Sequence, residues 1–238
     1  AASDVYKRQD KLSVTPGFRM EYIKTESQGE YKNIIFDLAG NPILNETLPD
    51  NRDFERKFVL FGVGVGYNVA DFSELYTNFS QNYRSVTFND IRITNPSLTI
   101  DPNITDEQGY TIDLGLRGRF KKYVSYDVGV FLLSYQDRIG VVLREVSDIE
   151  EERFRGNIGD AITYGLESFV DWNIWETFSQ NENIRLNTFV NFALTESEYT
   201  RSGENNVEGK QVEFIPEINL KTGLSFGYKD ILSSIQYT

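Results

Sequence analysis

From Tyr110 to Phe120 the chain alternates between apolar and polar residues. Tyr110, Ile112, Leu114, Leu116 and Phe120 share one parity; Thr111, Asp113, Gly115, Arg117 and Arg119 share the other. Successive side chains of an extended strand point to opposite faces, so this segment has one greasy face and one wet face. The pattern returns from Ile184 to Thr195, where Ile184, Leu186, Val190, Phe192 and Leu194 oppose Arg185, Asn187, Asn191 and Thr195. It returns again from Ile218 to Tyr228, with Leu220, Leu224, Phe226 and Tyr228 against Asn219, Lys221, Gly223, Ser225 and Gly227. Along the whole chain the alternation predicts about nine strands, at 11–26, 55–67, 73–84, 110–120, 124–138, 160–173, 183–199, 215–229 and 231–238.

The connections are unequal in a regular way. Those at 68–72, 121–123, 174–182 and 229–231 are short, and those at 27–54, 85–109, 139–159 and 200–214 are long. Bacterial membrane barrels place short turns on the periplasmic side and long loops outside. Several segments exceed the ~5–6 residues usual for soluble strands and suit the ~9–11 that a tilted strand needs to cross hydrocarbon. The expectation is an all-β fold, a transmembrane antiparallel up-and-down β-barrel. Nine is odd, and the last strand stops at Ile235-Gln236-Tyr237-Thr238 without a loop. An open edge in lipid leaves backbone groups unpaired, so the chain reads as part of a larger barrel.

Composition sharpens this. The net charge of −12, from 36 acids and 24 bases, argues against a nucleic-acid groove. Cysteine and histidine are absent, which removes thiolate chemistry, the commonest general base and the commonest neutral metal ligand. An enzyme is therefore not expected, and neither is a bound cofactor or metal. The 17 Phe and 14 Tyr suit a barrel with interfacial girdles. No stretch has the roughly 18 consecutive apolar residues of a membrane helix. The first nine residues, A-A-S-D-V-Y-K-R-Q, carry neither the apolar core of a secretory signal nor strand alternation. They read as a non-native leader or sequencing scar, leaving 10–238 for the barrel.

Several local features invite a chemical reading. Phe61 to Tyr67, F-G-V-G-V-G-Y, lacks the third glycine and the following helix of a dinucleotide fingerprint. Its glycines share one face, either admitting close approach from the lumen or merely accommodating strand coiling. Asn45-Glu46-Thr47, Asn78-Phe79-Ser80 and Asn103-Ile104-Thr105 fit the glycosylation sequon, and in a bacterial outer-membrane barrel they would be chance matches. Glu145, Asp148, Glu150, Glu151 and Glu152 crowd one long connection, as a solvated loop does; metal binding would need them to converge. Asp137 and Glu167 fall on inward faces of adjacent strands, where a wet lumen explains them more simply than acid–base work.

Motifs in order carry a family resemblance. Tyr83-Arg84-Ser85-Val86-Thr87-Phe88-Asn89-Asp90 resembles the aromatic-Arg-x-Pro-Thr-Phe-x-Asp/Glu segment of TonB-dependent outer-membrane receptors, with Val86 in place of the proline. Asn95-Pro96-Ser97-Leu98, Asp101-Pro102-Asn103-Ile104 with Glu107, and Asp113-Leu114-Gly115-Leu116-Arg117 are similar to the stretches that follow it. So are Asp137-Arg138-Ile139, Asn157-x-Gly159 with Gly165-x-Glu167, and Pro216 before Gly223-Leu224. The order is that of the C-terminal part of the barrel, and ferric dicitrate receptors are the most similar subfamily.

The resemblance implies active uptake of a scarce ligand, commonly a ferric chelate such as ferric citrate or a siderophore, across the outer membrane of a Gram-negative cell. In that family about 22 strands surround a plug. The TonB–ExbB–ExbD complex pulls on an N-terminal box; plug and box are absent from these residues. Partners are then that complex, the chelate and outer-membrane lipid, with iron only as cargo. An anionic chelate needs cations, preferably arginine, whose planar fork matches carboxylates. Arg84, Arg92 and Arg138 lie at strand ends expected outside, and Arg144, Arg153 and Arg155 in the long connection. Each is a candidate ligand contact or an ordinary loop ion pair. A passive porin-like channel and a soluble β-sandwich are the alternatives, the second because it too alternates polar and apolar residues.

Overall fold

The computed structural model describes the chain apart from residues 1, 4–5, 10, 38, 50, 93–97, 148–149, 180 and 182. In chain order its strands are β1 (Ala2–Ser3), β2 (Tyr6–Gln9), β3 (Leu12–Ser27), β4 (Glu30–Phe36), β5 (Pro42–Pro49), β6 (Arg52–Ala70) and β7 (Ser73–Arg84). There follow β8 (Leu98–Ile100), β9 (Glu107–Phe120), β10 (Val124–Ser147), β11 (Glu150–Asn173), β12 (Ile184–Arg201), β13 (Ile218–Tyr228) and β14 (Ile231–Tyr237). Two short helices interrupt them, α1 (Phe88–Ile91) and α2 (Ile174–Phe178).

The wall runs β3-β6-β7-β9-β10-β11-β12-β13-β14, each strand antiparallel to the next. These are the nine expected segments. The wall is an open arc, because β3 and β14 stand at opposite ends of the order. Beyond β3, Ala2 lies opposite Phe18 and Tyr6 opposite Val14. Residues without strand alternation thus still pair there, since the ladder is made by main-chain groups.

Register aligns the apolar parity into continuous rows. Leu114 faces Val130, Val130 faces Leu166, Leu166 faces Leu194, and Leu194 faces Ile218. Nothing among the described residues covers this belt: Leu114 is 48 % and Leu116 38 % exposed. A β-sandwich would bury that face against a second sheet, so the sandwich alternative fails. An exposed apolar belt of this kind is what the barrel expectation requires of the outward face.

On the opposite face, glycines and rings are matched across strands. Tyr76 on β7 pairs with Gly115 on β9, Phe131 on β10 with Gly165 on β11, and Phe189 on β12 with Gly223 on β13. Each ring lies over its partner so closely that an added Cβ would sit 2.4–2.9 Å from it. The ring thus replaces the side chain that glycine lacks.

Two expectations change at the long-loop end. Residues 139–159 are not a loop: β10 and β11 run on as one hairpin, with register shifts between Tyr135 and Ile139. Its acidic residues read as a solvated loop, yet a hairpin satisfies its backbone in water as well as in lipid. Side chains 145–151 lie outside the described residues, and with them all of the expected acidic cluster but Glu152, which accepts from the Thr99 hydroxyl at 2.7 Å. Within 27–54, β4 and β5 form a separate two-stranded sheet, turned by Asp37, whose Oδ1 accepts from the amides of Ala39 and Asn41.

Candidate functional site

The buried apolar residues gather where the long loops leave the wall. Val86, Ile91 and Ile104 form one cluster, with Phe54 and Ile139 against it; Ile158, Ala161, Tyr199, Val207 and Val212 form another. Around the first lies a polar lattice made largely from the resembling motifs. The Arg84 guanidinium donates to Glu107 Oε1 at 2.8 Å and to Asp90 Oδ1 at 2.9 Å. Asp90 also accepts from the Thr87 amide and hydroxyl, at 2.8 and 2.6 Å. Burial pushes the Asp90 carboxyl up, but Thr87 and Arg84 outweigh it and hold its pKa below the ordinary value.

Asp106 is the second node. It accepts from Arg56 Nε at 2.5 Å, from the Tyr83 hydroxyl, and through Oδ1 from the Val86 amide at 2.7 Å. A proline at 86, as in the resembling segment, has no N–H to give, so the departure at Val86 supplies a bond here. Arg56, only 8 % exposed, escaped the sequence reading. Its one signal is a charge on the inward parity among Phe54, Phe58 and Leu60.

Asn157 ties this loop to the long hairpin. Its Oδ1 accepts from the Thr105 amide at 2.7 Å, and its Nδ2 donates to the carbonyls of Thr105 and Asp137. Strand β8 then adds itself parallel to β11, Leu98 opposite Arg153. The Asn95-Pro96-Ser97 part of the motif lies outside the described residues.

The six candidate arginines are not brought together into one pocket. Arg84 is spent on Asp90 and Glu107. Arg144 grips Glu204 with both arms, Nε to Oε2 at 2.9 Å, and stacks on the Phe154 ring. That grip holds the Glu204 carboxyl below its ordinary pKa. Arg155 donates to the Asn89 carbonyl at 2.7 Å. Arg138 lies 5.8 Å from the Tyr135 ring and 5.9 Å from that of Tyr199. Arg92 and Arg153 are exposed and make no ion pair to a described residue. Loop ion pairs of this kind need a distant partner such as Glu204, sixty residues from Arg144, which spacing alone does not reveal.

The inner face forms an open hollow of about 470 Å³ lined by Tyr76, Asp113, Asp127, Phe131, Glu167 and Asn191 among others. Tyr76 donates to Asp127 Oδ1 at 2.8 Å. Asp137 is not part of it. Glu167 pairs opposite Gly129, eight residues from Asp137 and so roughly 27 Å along the strand. The two carboxylates therefore cannot share a site.

Residues 2–238 match the family model described as TonB dependent receptor-like, beta-barrel. No curated protein matches the sequence. Among solved structures, the copper transporter OprC superposes with a TM-score of 0.71 at 15 % identity, over 97 % of this chain and 33 % of its own. The ferric yersiniabactin uptake receptor FyuA from Yersinia pestis gives 0.68 at 20 % identity, over 93 % and 29 %. The unliganded ferric citrate transporter FecA gives 0.62 at 18 %, over 92 % and 28 %. At such identities the likeness is one of fold, and this chain spans about a third of each of those proteins.

Proposed function

This chain belongs to the TonB-dependent receptor β-barrel family, and on that premise we propose that it is part of the wall and outer loops of an outer-membrane receptor taking up a ferric chelate. Proteins of this family are transporters rather than enzymes. The observation that carries the reading is the orientation of the wall: an apolar belt outside, a polar concave face inside, across nine antiparallel strands. The whole receptor sits in the outer membrane of a Gram-negative cell, and the TonB system supplies the energy for transport.

The narrower reading is a ferric citrate or related anionic chelate. Arg92, Arg153 and Arg138 are its contacts, because their guanidinium groups are not committed to carboxylates among the described residues. Arg84, Arg144 and Arg155 shape the loops that present them. Uptake of radiolabelled iron by cells carrying the full-length receptor tests this. Ferric citrate is expected to be taken up, and R92A/R153A is expected to weaken its binding by about a hundredfold, the loss of a charge-assisted hydrogen bond from each arginine. Uptake of an unrelated hydroxamate chelate with none of citrate would discard the citrate reading.

A further inference from the structure

At the end of the wall where the turns are short, two turns share one arrangement. Strand β9 ends at Phe120 and β13 at Tyr228, both on the outward apolar parity and 61 % and 46 % exposed. In each case the next residue is a lysine with left-handed backbone, Lys121 and Lys229, both at φ 51. Glycine or asparagine fills that conformation with less strain, so the backbone gives no reason for lysine there. Each lysine folds back over the ring before it. Lys121 Nζ lies 5.8 Å from the Phe120 centroid and 5.7 Å from that of Tyr123; Lys229 Nζ lies 5.3 Å from that of Tyr228.

Both ammonium groups are exposed, and neither makes an ion pair to a described residue. That is notable in a chain with 36 acids and 24 bases, the more so because Asp230 directly follows Lys229. The adjacent Lys122 differs, being bound to Glu176 of α2 at 2.6 Å. The turn between β6 and β7 adds a further exposed ring, Phe72, whose carbonyl accepts from the Arg119 amide at 2.8 Å. The rim therefore presents rings at the edge of the apolar belt, with the Lys121 and Lys229 ammonium groups over them and without a carboxylate partner among the described residues.

We propose that Lys121 and Lys229 are binding posts for anionic glycerophospholipids of the leaflet facing the short turns. The ammonium donates to the headgroup phosphate oxygens while the ring beneath lies against the glycerol and upper acyl chain. This rests on the membrane reading of the wall given above. The chemistry is that of a long basic side chain reaching from hydrocarbon to headgroup level, with an aromatic ring at the interface. The two posts are separate, four strand spacings apart in the sheet order.

The test uses the full-length receptor in detergent, titrated with dioleoyl phosphatidylglycerol and read by native mass spectrometry. Retained lipid is expected to fall about fivefold for each lysine removed in K121Q and K229Q, with K121R and K229R restoring it. K122Q, which removes the lysine paired with Glu176, is expected to leave retention unchanged, and excess inorganic phosphate is expected not to displace the lipid. Equal retention by K121Q/K229Q, or an equal loss in K122Q, would overturn the proposal. Heat-modifiable mobility on unboiled gels confirms that each variant still holds a folded barrel. A receptor that stays folded and monomeric without detergent would instead overturn the membrane reading itself.

Discussion

Leu116 and Arg117 are neighbours in sequence and stand on opposite sides of the wall. Leu116 lies between Leu75 and Val128 on the outward face, in an exposed apolar row. In the full receptor, Leu116→Arg is expected to destabilise the barrel by about 2–4 kcal/mol near the midplane. Arg117 pairs with Glu74 at 2.8 Å and lies 5.1 Å from the Tyr76 ring, but half of its side chain is open to the lumen. Arg117→Leu is accordingly expected to cost about 0–1 kcal/mol, the range of an exposed ion pair. Equilibrium unfolding in urea with the receptor in lipid checks both, and reversed penalties would reject the face assignment. This much was legible in the sequence, because the parity of a strand is fixed once one face is known. The ends of the strands were less legible. Val141, Val142 and Leu143 are three apolar residues in a row, which breaks the alternation, yet they lie within β10, whose hairpin with β11 runs on past them.

Two long connections are held by carboxylates whose charge matters. The segment between β7 and β9 is fastened through Asp90, and the one between β12 and β13 through Glu204. Both groups have lowered pKa values in the folded chain. Their contribution to docking is therefore complete above the ordinary carboxylate range and is lost as pH falls through the lowered values. Limited acid-protease digestion of the full receptor is expected to cut residues 85–106 and 202–217 faster below about pH 4, with Glu204→Gln abolishing the pH dependence of the second only. Cleavage at 202–217 in the unmodified receptor that ignores pH would discard this account. The sequence named Arg84, Asp90, Asn157 and Glu107 as motif residues without saying what they touch. Asp106 and Arg56, which complete the lattice, share no motif or spacing with them; only the fold brings residues fifty positions apart to one point.

At the scale of the whole molecule the arc is incomplete as a membrane structure. The outer sides of β3 and β14 do not meet. In hydrocarbon each unpaired backbone group costs several kcal/mol, so an open wall has no stable place in a bilayer. The 238-residue chain refolded alone into lipid vesicles is expected to give no compact, heat-modifiable monomer, whereas the complete receptor is expected to give one. A sharp monomer band from this chain alone would mean that the arc closes on itself.

The matched glycines and rings have a further consequence when the inner wall is regarded as terrain. A ring standing upright on a strand would be a post several ångströms high. Tyr76, Phe131 and Phe189 instead each fill the dent left by a glycine on the next strand, so peaks and troughs cancel pairwise. A side chain placed on Gly115, Gly165 or Gly223 would meet the ring at 2.4–2.9 Å, so any substitution at these three positions must lift a ring off the wall and into the hollow.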